Sequence, residues 1–190
     1  MPILGILASQ ITGHLSTNSY ESIQTVTVGS TQTSISFSSI PSTYKHLQIR
    51  WIARVSPATT DENLQIQVGN GSIDTGTNYS HHGLYGTGSA AVVFGNASVS
   101  GANLGRVTGA SSSANMFGAG VIDILDYANT NKYKTFRGLS GDDQNGSGLV
   151  WFASGSWQNT AAITNIQLNE LYGSGGFVAN SSFALYGVKG

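Results

Sequence analysis

The chain has no cysteine, little charge and no long apolar run. The missing cysteine excludes disulfide staples, zinc–thiolate centres and thiol catalysis. Charged residues make up 9% of the sequence, where globular domains carry about 25%. The formal net charge is −1, so no field exists to gather nucleic acid. Lys132, Lys134 and Arg137 form the densest basic group, and it is too small for a phosphate footprint. No run approaches the roughly 18 apolar residues of a membrane-spanning helix. The opening Met1-Pro2-Ile3-Leu4-Gly5-Ile6-Leu7-Ala8 is apolar, but it lacks a basic flank and is short for an export signal. The chain is therefore expected to be made without export, with neither nucleic acid nor membrane as a partner. Near-neutral charge also favours association between copies.

Ser, Thr, Asn and Gly fill the space that charge leaves. They come with apolar residues at a period of two, the signature of half-buried strands. Leu47, Ile49 and Trp51 alternate with His46, Gln48 and Arg50. Leu64, Ile66 and Val68 alternate with Gln65 and Gln67, and Ile166 and Leu168 with Asn165, Gln167 and Asn169. Strands are expected over 21–28, 33–38, 45–53, 64–68, 79–85, 91–95, 116–127, 132–140, 148–157, 163–169 and 182–188. The run Gly120 to Tyr127 is apolar on both faces, which predicts a central strand or one whose outer face meets another subunit. Gly69-Asn70-Gly71, Asn129-Thr130-Asn131 and Asp142 to Gly146 read as hairpin turns, because Asn-Gly supplies the positive φ angles of a type I′ turn. A short helix over 2–11 is opposed by Gly5 and its brevity. Residues 96–115 have few large side chains and read as a long surface loop or a pairing arm. The expected fold is all-β: one antiparallel, jelly-roll-like β-sandwich of about 8–11 strands over residues 1–190, with 1–15 as an N-terminal contact segment.

The sequence contains no G-x-S-x-G, Walker loop or H-E-x-x-H motif. Three carboxylate pairs remain as candidates for acid–base work: Asp61-Glu62, Asp123/Asp126 and Asp142-Asp143. Asp142-Asp143 falls in a turn, where Asp serves the backbone. Asp123 or Asp126 is placed to pair with Arg137 or Lys134 across a hairpin. His81 and His82 face opposite sides of a strand and cannot share one metal without help from His14, His46 or a distant acid. One is expected inside with a hydrogen bond and the other in solvent. Asp142, Asp143 and Asn145 lack the spacing and distal Glu of a calcium loop. Trp51 and Trp151 fit core patterns, while Trp157 near a strand end is a candidate for exposure. The tyrosines at 20, 44, 79, 85, 127, 133, 172 and 186 suit oligomer interfaces. No catalytic, cofactor or metal residue is singled out, and the protein is expected not to be an enzyme.

Four segments carry a resemblance. They are Met1 to Ser9, Ile40-Pro41-Ser42-Thr43-Tyr44-Lys45-His46-Leu47-Gln48-Ile49-Arg50, the stretch from Val121 through Asp126-Tyr127 to Lys132-Tyr133-Lys134-Thr135, and Ser181 to Gly190. Together they resemble a family of short proteins encoded by tailed phages of aquatic bacteria, including cyanophages. The resemblance implies a virion component made in the host bacterial cytoplasm, and it brings no catalytic motif. The expected role is a capsid decoration or cement protein, working as a homo-oligomer with a trimer favoured. Its expected partners are the major capsid protein or another virion protein, with 1–15 and 96–115 supplying interface. The alternative is a tail-fibre or spike component that binds a host surface glycan.

Overall fold

The computed structural model describes residues 19–171 and 175–190. The segments 2–11 and 1–15, His14 and Tyr172 lie outside the described residues. Twelve strands are formed: β1 (Tyr20–Thr27), β2 (Ser34–Phe37), β3 (His46–Ala53), β4 (Asp61–Gly69), β5 (Tyr79–Gly86), β6 (Ala91–Val99), β7 (Ala102–Thr108), β8 (Gly118–Leu125), β9 (Lys134–Asp143), β10 (Gly148–Trp157), β11 (Asn165–Glu170) and β12 (Ser182–Val188). They make an eight-stranded sheet, β1-β12-β3-β8-β9-β10-β5-β6, and a four-stranded sheet, β2-β11-β4-β7. Every strand ladder is antiparallel.

The order resolves into a jelly roll with two additions. Without the hairpins β5–β6 and β9–β10, the sheets read β1-β12-β3-β8 and β2-β11-β4-β7. That is the order of an eight-stranded jelly roll, in which the chain winds alternately through two facing sheets. Both hairpins join the same sheet beyond β8, side by side, through the β10–β5 ladder.

Alternation places the core as expected. Leu47, Ile49 and Trp51 of β3, Ile122 and Ile124 of β8, and Phe183 and Leu185 of β12 face inward and are buried. Leu64, Ile66, Val68, Ile166 and Leu168 oppose them from the small sheet. Each such side chain contributes about 1.5–3 kcal/mol by leaving water.

The structure corrects the reading of 96–115. Most of that segment is strand: β6 runs on to Val99, and β7 is buried at every position but Arg106. Only about 109–117 is loop, and Arg54 holds it by donating to the carbonyls of Ala110, Ser112, Ser113 and Met116. This extra strand takes the count past the expected range. β7 packs closely on the large sheet: the Leu104 carbonyl lies 1.9 Å from where a Cβ on Gly138 would sit, and a Cβ on Gly105 would meet Trp51 at 3.1 Å. The turn after β9 forms as expected, with Asn145 at φ 58° and Gly146 at φ 98°. The Gly69-Asn70-Gly71 turn does not close a hairpin, because β4 and the next strand β5 belong to different sheets.

Gly138→Ala is expected to lower stability by about 1–3 kcal/mol, since backbone and not a flexible side chain must give way. Gly29, with open space around its Cβ position, should accept Ala with unchanged or slightly raised stability. Urea midpoints of the two variants check both.

Candidate functional site

The carboxylates disperse into structural roles. Asp61 forms an ion pair with Arg106, whose guanidinium also donates to Asn63 at 2.8 Å. Asp142 accepts from Thr108 at 3.0 Å and Gln144 at 2.8 Å, and Asp143 accepts from the Gly146 amide at 3.3 Å. Asp123 and Arg137 are direct cross-strand partners, as expected, with 3.4 Å between charged atoms. Asp126 pairs with Lys132 and with Lys45 at 2.9 Å. The hydrogen bonds from Lys132 and Lys45 hold the Asp126 carboxyl down at about 2. Lys134 takes neither acid. It is fully buried, and its ammonium donates to the carbonyls of Asn129, Lys132 and Thr160 at 2.6–3.0 Å. Burial lowers its pKa, with the neighbouring Lys132 charge adding to the shift. The basic group seen in the sequence is thus split among a loop, the interior and the outer sheet face.

Trp157, the candidate for exposure, is buried instead and donates to Asp74 at 2.8 Å. Burial pushes the Asp74 carboxyl up, but bonds from Trp157, Asn78 and the Gly76 amide outweigh it and leave the pKa lowered. Trp51 and Trp151 are core residues, as expected. Trp151 stacks on Phe94 and Tyr85, with centroids 4.0 Å and 5.4 Å away, and Arg106 lies over its ring. This aromatic stack covers the inner face of the added hairpins. Tyr79 and Tyr127 are buried, whereas Tyr20 and Tyr133 are exposed. The histidines divide as alternation requires, His81 inside and His82 outside. His81 lacks the expected hydrogen bond: neither ring nitrogen has a partner among the described residues. Burial, with the neighbouring His82 adding to the shift, lowers its pKa. His81 lines a recess of about 420 Å³ with Gln65, Asn96, Ser100 and Asn103, and no Asp, Glu, Lys or Arg contributes to that lining. Among the described residues no group of three or more His, Asp or Glu is placed to hold a metal ion.

The feature that sequence reading missed lies on the outer face of the large sheet. Val121, Leu139, Phe152, Leu84 and Val93 are successive cross-strand partners from β8 to β6. They form one apolar row, with Phe152 51% and Val93 82% exposed. On one side lies a row of small residues, Ala119, Gly141, Gly86 and Ala91, broken by Val150. On the other lies a polar row, Asp123, Arg137, Ser154 and His82. The two larger rows border a shallow concavity of about 500 Å³. Beyond β8 the same face turns polar: Gln48 donates to Asp123 at 2.8 Å, Arg50 donates to Gln48 at 2.7 Å, and the Arg50 guanidinium lies over Tyr20 and Tyr186. The outer face therefore carries an arginine–tyrosine cluster on its β1-β12-β3 side, where Ile52 is also exposed, and the apolar row on its β8-to-β6 side. The signal was present in Leu149-Val150-Trp151-Phe152 and Val92-Val93-Phe94, where both faces of a strand are apolar.

Asp126 yields a pH test. Its folded pKa lies below the ordinary 3.8, so its stabilisation is present above about pH 4 and is lost as pH falls through about 2. Asp126→Asn should flatten the fall of stability in that window, measured by thermal unfolding at each pH.

Comparison with protein-family models, with curated proteins and with solved structures finds no match to the chain.

Proposed function

We propose that this protein is a structural component of a tailed-phage particle, a decoration or cement protein that binds the capsid as a homo-oligomer. The observation that carries the reading is the exposed apolar row across β8, β9, β10, β5 and β6. Isolated surface apolar residues need no explanation, but a contiguous row rimmed by polar residues marks an interaction surface. The row lies along a shallow concavity of the sheet and is flanked by one ion pair, Asp123–Arg137. Such a face suits a broad protein surface, with burial supplying affinity and the rim charges supplying register. The major capsid protein is the partner that fits the resemblance carried by the four sequence segments. Jelly rolls serve many unrelated functions, and here it is the exposed row that points to a protein partner.

A second reading, a tail-fibre or spike component that binds a host surface glycan, draws on the uncharged recess beside His81 and Asn103. Amide and hydroxyl groups without ionic charge suit a neutral sugar. Binding of the isolated protein on a glycan array favours this reading, and its absence favours the shell.

Phe152→Glu should abolish occupancy on heads that lack the protein, while thermal stability stays close to that of the native protein, since the side chain is about half exposed. Retained occupancy overturns the row as the docking face. The number of copies per particle, from quantitative mass spectrometry, separates head from tail: a number that scales with the capsid lattice supports the shell.

A further inference from the structure

The two sheets end in four edges, and three of them are poor templates for another strand. β2 has only four residues. β7 is buried against the large sheet and carries Arg106, which is ion-paired to Asp61. β1 begins with Tyr20 and Glu21, and Glu21 is paired with Lys189 at 3.1 Å. β6 differs on each count. It is nine residues long, exposed along most of its length, and contains no proline and no charge. The uncharged stretch extends well beyond the strand, from Gly83 to Gly105. Natural sheets block long edges with lysine, proline, bulges or a covering element, because a bare edge presents unpaired amides and carbonyls to any other chain. Here, among the described residues, the one such device is a bulge at the far end, where pairing to β5 shifts between Tyr79 and Ser80. Ser98 there has φ 54°. That leaves 91–97 as a regular edge, with Phe94 at its centre and the β-branched pair Val92-Val93 just before it.

We infer that β6 is a self-association edge, pairing antiparallel with β6 of a second copy about a two-fold axis. This deepens the oligomer reading given above by naming the surface and the symmetry. An identical partner fits for two reasons. An antiparallel pair of one strand with itself is self-complementary, the condition a two-fold interface must meet. The neutral edge also brings no like charges opposite one another, which would otherwise oppose pairing. The product is a continuous sixteen-stranded sheet, since each copy supplies the eight strands of its larger sheet. Val93, 82% exposed, then lies beside the junction, and the outer faces of the two copies become continuous. The expected order is a dimer in place of the trimer anticipated from the sequence.

The test uses the full chain in solution. Sedimentation velocity over a concentration series should show a monomer–dimer equilibrium. Hydrogen exchange should show protection of amides in 91–97 that increases with concentration. The double variant Ala91→Lys and Ala97→Lys places positive charge at two exposed positions of the edge, opposite the small residues Gly86 and Ser80 of β5, and leaves the backbone bonds to β5 in place. It should weaken the dimer by about 10-fold or more with an unchanged circular dichroism spectrum. A native protein that stays monomeric, a trimer whose β6 amides exchange freely, or a variant that dimerises as well as the native chain overturns the proposal. If the variant fails to fold, the exchange pattern of the native protein decides alone. Phe152→Glu separates this from the docking reading: it should remove particle occupancy and leave the dimer intact.

Discussion

The contact on which the structure depends is backbone against backbone, where β7 lies on the large sheet. Two stacked sheets ordinarily stand about 10 Å apart, with interdigitated side chains between them. Here Gly120, Gly138 and Gly155 form a trough in the inner face of β8, β9 and β10, and β7 sinks into it. The Leu104 carbonyl occupies the space of a missing Gly138 side chain, while the Leu104 and Ala102 side chains approach Gly155. Trp51 and Ser140 close over Gly120 and Gly105. The Ser140 hydroxyl also accepts from the Arg106 amide at 2.9 Å, which ties the sheets by a hydrogen bond at the point of closest approach.

That trough explains how a four-stranded sheet can serve an eight-stranded one. It is chiefly through β7 that the small sheet approaches the backbone of β8, β9 and β10. Beyond it, the inner face of the added hairpins is covered by Phe94, Tyr85 and Trp151, stacked on one another. The ring of Phe94 lies over Gly83, another position where a side chain would collide. The added strands thus carry their own thin aromatic layer. Among the described residues their outer face has nothing over it, and their last strand is paired on one side only. The exposed row and the bare edge are two consequences of one architectural choice, the widening of a single sheet by two hairpins.

Much of the fold was legible in the residues. Alternation in Leu47-Gln48-Ile49-Arg50-Trp51 and in Leu64-Gln65-Ile66-Gln67-Val68 gave strand position and facing together. The Asn145-Gly146 turn and the β8–β9 hairpin followed from turn chemistry and the spacing of apolar runs. The Asp123–Arg137 pair followed from that hairpin. β7 was not legible, because Ala102-Asn103-Leu104-Gly105 is buried on both faces and so has no alternation, and its small residues mimic a loop. Trp157 was misjudged because its partner, Asp74, lies 83 residues away. His81 was placed correctly inside, but its lack of a hydrogen bond depends on neighbours from three other strands.

By itself the sequence determined the class of fold, most strand positions and the absence of disulfide or thiol chemistry, because these depend on residue type and on spacing within one strand. The tertiary structure decided which strands became neighbours. Only that decision lined up Val121, Leu139, Phe152, Leu84 and Val93 into one surface and left β6 at an edge. The physical reason is that a period of two fixes which way a side chain points but not what lies beside it. Registry between strands distant in the chain is set by the packing of the whole core.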